Sequence, residues 1–349
     1  MRGGEAPAGR GAGDDEFIVG TRGSRLALTQ TSGAAEALSA YSGYGYRLET
    51  IRSEGDVLTG PLSQMGGTGV FATALRSALF DGRCDVAVHS LKDLPAKDLE
   101  GLSIAAVPVR AEVRDALCSA GDLPVERLPE GAKVGTGSPR RKAQLLAARG
   151  DLEVVDIRGN VGTRLARVRG REDAAETSTQ APDAARGDLD AVVLAGAGLI
   201  RLGLEHHISE LISTEVMVPA PGQGALAVEV RAVDAEPGTM LGEALAQYDD
   251  FAARVETTAE RALLARLNAG CSAPIGGLAR LDEATGVLRL RSVVCAPDGS
   301  STQSAEAAVE MTAAAPRASA VAAAAQLGAA VAEQLLADDT GLLAHVIDT

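Results

Sequence analysis

Residues 70–89 read VFATALRSALF (Val70–Phe80), DGRC (Asp81–Cys84) and DVAVH (Asp85–His89). The first stretch reads as a helix and the last as a buried strand. A Gly-rich loop, Met65-Gly66-Gly67-Thr68-Gly69, leads into the helix. Outward from this core, Phe17–Thr21 is a short apolar strand. Ser24 is placed to cap a helix running to about Ser39. Tyr46–Ile51 and Leu102–Val109 complete the set of strands. The β-α-β-α-β rhythm predicts an α/β fold with a mostly parallel, doubly wound sheet.

The rhythm then repeats without repeating the sequence. Lys133–Thr136 and Glu153–Ile157 read as strands. Ser138 caps a helix from Pro139 to about Arg149, with proline at the first helical position. Asn160–Val168 reads as a helix, Asp190–Ala195 as a buried strand and Gly196–Gly203 as a short helix. Thr214–Val218 and Ala225–Val230 are predicted strands, split by Pro219-Ala220-Pro221-Gly222, a candidate crossover between domains. The last third differs: helices at Phe251–Leu267 and about Arg317–Leu336 flank strands at Gly276–Leu281 and Val287–Val294. It predicts a smaller α+β domain. The first fifteen residues and 171–186 are polar and read as a disordered tail and a surface insertion.

The chain has 349 residues, enough for two or three domains at roughly 150 residues each, and a formal charge of 33 − 47 = −14. That balance argues against a non-specific nucleic-acid or anionic-membrane binder. With aromatics at 2% and no Trp, base-stacking platforms are excluded and the core is aliphatic. Cys84, Cys118, Cys271 and Cys295 form no CxxC pair and only four His are present, which argues against a zinc site. Sparse cysteines and the lack of an apolar leader segment predict a cytoplasmic chain without disulfides. The longest clean apolar run noted, Ala191–Ile200, is too short to span a bilayer.

Candidate chemistry sits at strand ends. Thr136-Gly137-Ser138-Pro139-Arg140-Arg141 opens a helix, where backbone N–H groups attract anions and cations oppose the dipole. Arg158-Gly159-Asn160-Val161-Gly162-Thr163-Arg164 repeats that design. Arg22 and Ser24 follow the first strand, and Arg201 follows Ala195. In doubly wound sheets ligands bind beyond the carboxyl ends of strands, and arginine suits bidentate carboxylate contacts. Lys92 and Asp93 follow the strand ending at His89; the acid could move a proton or face a cation, while His89 reads as a core histidine. Cys271, on the loop Asn268-Ala269-Gly270-Cys271-Ser272-Ala273-Pro274, is placed as a nucleophile or covalent anchor. Cys84, Cys118 and Cys295 read as structural.

Six motifs then stand in order: Thr21-Arg22-Gly23-Ser24, Val88–Pro95, Gly135–Arg141, Arg158–Leu165, Pro221-Gly222-Gln223-Gly224-Ala225 and Gly270–Gly276. Over about residues 17–295 the chain resembles the porphobilinogen deaminase (hydroxymethylbilane synthase) family. The resemblance implies two α/β domains like periplasmic binding proteins with an active cleft between them, and a C-terminal α+β domain carrying the cofactor cysteine. Domain 1 would cover 16–110 and 225–242, domain 2 111–220 and domain 3 246–349. The implied reaction joins four porphobilinogen molecules into linear hydroxymethylbilane with loss of ammonia, on a dipyrromethane held by a thioether to Cys271. Each pyrrole carries an acetate and a propionate, so the growing chain is a polyanion.

By the same resemblance Asp93 is the catalytic acid. Lys92, Thr136, Ser138, Arg140, Arg141 and Arg164 hold the cofactor with Cys271. Arg22, Ser24, Arg158, Arg201, Gln223 and Phe71 serve the substrate. No metal, nucleic acid or membrane is implied, and the expected state is a monomer. Gln64 and Thr68 stand where the family often has lysines in a mobile loop. A non-catalytic ligand-binding module with the same two lobes is the alternative; ammonia release from porphobilinogen separates the two. A dinucleotide reading of Gly196-Ala197-Gly198 lacks a full GxGxxG.

Charge distribution points the same way. From Lys133 to Arg171 ten basic residues face three acids (Asp151, Glu153, Asp156), a segment charge of 10 − 3 = +7. The expectation is a basic wall for carboxylates within an acidic, soluble chain.

Overall fold

The structure, a computed structural model, describes residues 16–51, 70–171, 174, 186–270, 273–311, 316–337 and 341–347. The Met65–Gly69 loop, Gln64, Thr68, Cys271, the first fifteen residues and most of the 171–186 insertion lie outside the described residues. The chain forms two compact units, one of residues 1–109 with 226–250, the other of 110–225 with 251–349.

The first unit begins with β1 (Glu16–Thr21), α1 (Arg25–Ser42), β2 (Gly45–Thr50), α2 (Val70–Phe80), β3 (Val86–Ser90) and β4 (Leu102–Ala106). The second begins with β5 (Asp115–Ser119), β6 (Lys133–Gly135), α3 (Pro139–Ala148), β7 (Glu153–Val155), α4 (Val161–Leu165), β8 (Ala191–Ala195), α5 (Gly196–Arg201) and β9 (Glu210–Leu211). The chain returns to the first unit for β10 (Leu226–Arg231) and α6 (Gly242–Tyr248). It ends in the second with α7 (Phe251–Leu267), β11 (Ile275–Asp282), β12 (Val287–Cys295), β13 (Thr302–Glu310), α8 (Arg317–Leu336) and α9 (Leu342–Ile347).

Two five-stranded sheets share one design. The orders are β2-β1-β3-β10-β4 and β7-β6-β8-β5-β9. In each, the first three strands run parallel and the fourth runs against them. That fourth strand is the first one made after the chain changes unit. Running backwards, β5 and β10 bring their first residues to the carboxyl edge of their neighbours: Asp115 lies opposite Ala195 and Leu226 opposite Ser90. This is the edge where such sheets bind ligands.

Aliphatic packing builds the cores, as the composition requires. Phe17, Val19, Val86, Val88, Val228 and Val230 pack against Ala34, Ala35 and Leu38 of α1 in the first unit. In the second, Leu117, Val134, Val193 and Leu145 pack on one face of the sheet and Ile157, Leu165, Leu189 and Leu199 on the other. The antiparallel sheet β11-β12-β13 is covered by α7 and α8 through Leu263, Leu288, Leu290, Leu327 and Val331. Helix α8, unlike Ala191–Ile200, has the length and composition to cross a membrane. Its Ala320, Ala324, Leu327, Val331, Ala332 and Leu335 are buried in this core.

Three expectations change. Thr214–Val218 is not a strand; Val216 and Met217 both donate to the Ser213 carbonyl in a turn, at 3.0 and 2.9 Å. Its apolar side chains bury Met217 and Val218, while Glu210–Leu211 takes the place beside β5. Strands β5 and β13 and helix α6 were not anticipated. The helix expected over Asn160–Val168 is shorter, Val161–Leu165.

Candidate functional site

In the first unit, β1 delivers Arg22 and Ser24. Ser24 Oγ accepts from the Ala27 amide at 3.2 Å and starts α1 as expected. Gln30 of the same helix donates to Ser90 Oγ at 3.2 Å. Past Ser90 the chain makes one turn of 3-10 helix, Leu91–Asp93. Leu91 and Leu94 are buried and pin this turn, which leaves Asp93 exposed. Asp93 makes no hydrogen bond or ion pair among the described residues. Phe71 is the second residue of α2, and its side chain lies outside the described residues.

Below the turn a buried charge cluster fixes β3 to its neighbours. Arg76 of α2 grips Glu229 of β10, Nε to both carboxylate oxygens at 3.1 Å and a terminal nitrogen to Oε1 at 2.8 Å. His89 Nε2 lies 3.2 Å from Glu229 Oε2. Burial alone would raise the Glu229 carboxyl; His89 and the Arg76 fork beside it overcome that and bring it down to about 2. His89 is thus a core histidine with a carboxylate partner, as read from the sequence.

In the second unit, the parallel strands β6, β7 and β8 present their carboxyl ends on one edge, followed by α3, α4 and α5. Ser138 caps α3, accepting from the Arg141 amide at 3.4 Å, with Pro139 at the start of the helix. Thr136 is buried and its hydroxyl accepts from the Ser138 amide at 3.3 Å. Gly137 must be glycine because a Cβ there would lie 2.6 Å from the Ile157 carbonyl oxygen. Asn160 caps α4 through the Thr163 amide at 2.9 Å. Arg164 Nε donates to the Gly159 carbonyl at 2.8 Å. Arg158 is half-buried and makes no ion pair among the described residues. Arg201 donates to the Gly224 carbonyl at 2.8 Å.

Arg140 and Arg141, expected at the cofactor, are not surface side chains. Both are buried on Asp115, the first residue of β5. Arg140 donates to Asp115 Oδ2 at 2.7 Å and to the Val218 carbonyl at 2.7 Å. Arg141 Nε donates to Asp115 Oδ1 at 2.9 Å. Gln223, fully buried, donates to the same Oδ1 at 2.9 Å and to the Val113 carbonyl at 2.7 Å. Burial opposes the Asp115 charge, but Arg140 and Arg141 outweigh it and hold the carboxyl down at about 2. Arg140 Nε is buried without a hydrogen-bond partner.

The basic segment is less available than its sum implies. Among the described residues seven of its ten cations pair with acids: Lys133 with Glu153, Arg140 and Arg141 with Asp115, Arg149 with Asp151, Arg167 with Asp188, Arg169 with Asp190 and Arg171 with Asp122. Asp115, Asp122, Asp188 and Asp190 come from outside the segment, so a count along the chain missed them. The expected basic wall is thus largely neutralised by these acids. Cys84, Cys118 and Cys295 are buried, as read, and burial pushes their thiols up to about 11, 12 and 11.

The donor set fits an anionic cofactor. One carboxylate faces two guanidiniums beneath a helix N-terminus, one guanidinium nitrogen lacks a partner, and glycine keeps the strand end open. Family models described as "Porphobilinogen deaminase, dipyromethane cofactor binding domain" and "Porphobilinogen deaminase, C-terminal domain" match residues 17–238 and 255–337. A porphobilinogen deaminase of Micrococcus luteus is 59% identical over 296 residues, 81% of this chain and 78% of the relative. That of Cutibacterium acnes is 50% identical over 324 residues, 92% of this chain and 94% of the relative. Among solved structures, a periplasmic substrate-binding protein of an ABC transporter from Coxiella burnetii aligns with a TM-score of 0.39 and 16% identity, covering 66% of this chain and 90% of that one.

Proposed function

The chain belongs to the porphobilinogen deaminase family, and from that premise we propose that Asp93 is its catalytic acid and that the strand-end hydroxyls and arginines hold its anionic ligands. The enzyme is a transferase of tetrapyrrole biosynthesis. It joins four porphobilinogen molecules into linear hydroxymethylbilane with release of ammonia, and its cofactor is dipyrromethane. When bound, that group supplies a covalently held pyrrole to which substrate is added.

The observation that carries the reading is the Leu91–Asp93 turn. Two buried leucines hold an exposed carboxyl, without a partner among the described residues, just past the end of β3. An acid so placed can give a proton to the departing amine. As a carboxylate it then faces the cationic substrate left behind. Ser138, Thr136, Arg140, Arg141, Arg164 and Lys92 are assigned to the cofactor carboxylates, with Cys271 as its thioether anchor. Arg22, Ser24, Arg158, Arg201, Gln223 and Phe71 are assigned to the substrate. Arginine forks and a helix N-terminus match the acetate and propionate groups of every pyrrole.

The proposal extends to three working domains, 16–110 with 225–242, 111–220 and 246–349, and to a cytoplasmic monomer that engages neither nucleic acid nor membrane. Intact-mass measurement tests the core of it. The purified chain should exceed its sequence mass by two pyrrole units, and Cys271→Ser should lack the excess. A bare-chain mass with full turnover would overturn the anchor.

A further inference from the structure

We propose that Asp115 is the positioning residue of the cofactor site: it sets the Arg140–Arg141 pair, with Gln223 sharing its carboxylate, and thereby determines whether the chain acquires its dipyrromethane. This rests on the reading that the two arginines serve that group.

Four observations carry it. First, cations in the opening turn of a helix oppose its dipole, so Arg140 and Arg141 need a partner to lie there. Second, topology supplies one. Because β5 runs against β8, its first residue arrives at the carboxyl edge where α3 starts. Third, the carboxylate is fully enclosed and saturated by side chains. Its two oxygens receive Arg140 at 2.7 Å, Arg141 Nε at 2.9 Å and Gln223 at 2.9 Å. The guanidiniums are fixed further by the Val218 carbonyl at 2.7 Å and the Val193 carbonyl at 3.2 Å.

Fourth, the charges do not cancel. One carboxylate meets two guanidiniums, and neither arginine pairs with a second acid among the described residues. The cluster holds one surplus positive charge, largely out of water, at a helix N-terminus. Such a charge calls for an anion, and a carboxylate of the cofactor has the matching chemistry. Asp115 acts through the arginines and is not assigned any contact with the ligand.

The test compares Asp115→Asn, Asp115→Glu, Arg140→Lys and Arg141→Lys with the wild-type chain. Each is purified, checked for a cooperative thermal transition and weighed intact, before and after incubation with porphobilinogen. Asp115→Asn should fold yet show a fraction carrying the two-pyrrole increment that is lower by roughly tenfold or more. Asp115→Glu, which restores the charge, should recover part of it. Full loading of Asp115→Asn would overturn the proposal. If both arginine variants load fully, the reading beneath it fails. If they fail to load while Asp115→Asn loads, only the positioning role fails. Should Asp115→Asn not fold, Asp115→Glu carries the test alone, since it keeps the charge but displaces both oxygens from Arg140, Arg141 and Gln223. Reduced loading at limiting porphobilinogen then supports the proposal, and unchanged loading overturns it.

Discussion

Arg110 and Glu260 form a two-pronged buried pair, one terminal nitrogen to Oε1 at 2.8 Å and the other to Oε2 at 2.9 Å. The Glu260 side chain is 0% exposed. The same carboxylate accepts from the amides of Gly222 at 2.6 Å and Ala279 at 2.8 Å. Arg110 Nε closes the ring on the Gln223 carbonyl at 3.0 Å. Helix α7, strand β11 and the Gly222–Gln223 turn therefore meet at one carboxylate. Arg110 also reaches Glu256 at 3.2 Å, so Glu260→Gln leaves the guanidinium one acid but takes the charged acceptor from the Gly222 and Ala279 amides, a loss of roughly 1–3 kcal/mol. The thermal midpoint should fall; a midpoint within error of wild type would remove this pair from the stability of the fold.

Acid should loosen both units at the same pH. Asp115 and Glu229 each stand at about 2, below their ordinary 3.8 and 4.5. A carboxyl whose folded value is depressed adds stability that is complete above its unfolded value and is lost as pH falls through the folded one. The thermal midpoint should hold down to about pH 4.5 and decline from there toward about pH 2. Glu229→Gln should lower the plateau and flatten the decline. A midpoint independent of pH across that window would contradict both assignments.

The sequence disclosed what is local. Ser24, Ser138 and Asn160 were legible as caps or strand-end residues because a cap and its amide are three residues apart. Helix α8 was legible because a long Ala-rich run has few other uses. Asp115 was not, because its partners lie 25, 26 and 108 residues away, and Arg114-Asp115-Ala116 looks ordinary. Strand β13 reads TQSAEAAVE, rich in helix formers. It becomes a strand because β12 offers it a nine-residue ladder from Val287–Glu310 to Cys295–Thr302, and pairing overrides propensity. The basic segment misled for a related reason: its counter-charges arrive from other strands.

Two glycines separate packing from propensity. Gly328 lies where α8 crosses α7, and a Cβ there would stand 2.2 Å from the Ala259 carbonyl oxygen and 2.9 Å from the Leu263 nitrogen. Backbone cannot yield cheaply, so Gly328→Ala should destabilise the second unit by about 1–3 kcal/mol. Gly33 sits inside α1, exposed, with nothing within 4 Å of its would-be Cβ. There alanine should stabilise by roughly 0.5–1 kcal/mol. Denaturant midpoints of the two variants should move in opposite directions; shifts of the same sign would refute the close approach of α7 and α8.

Asp93→Asn isolates chemistry from structure. The side chain is exposed and bonds to nothing among the described residues, and the turn beneath it is held by Leu91 and Leu94. The amide keeps the shape but can neither give up a proton nor carry the negative charge that a cationic substrate needs. The variant should therefore melt with the wild type and retain the two-pyrrole mass increment. Its turnover should fall by roughly 10²–10⁴-fold, measured as ammonia released from porphobilinogen. Wild-type turnover in a chain of wild-type mass would refute the role of Asp93, whereas loss of the increment would move Asp93 from catalysis to cofactor assembly.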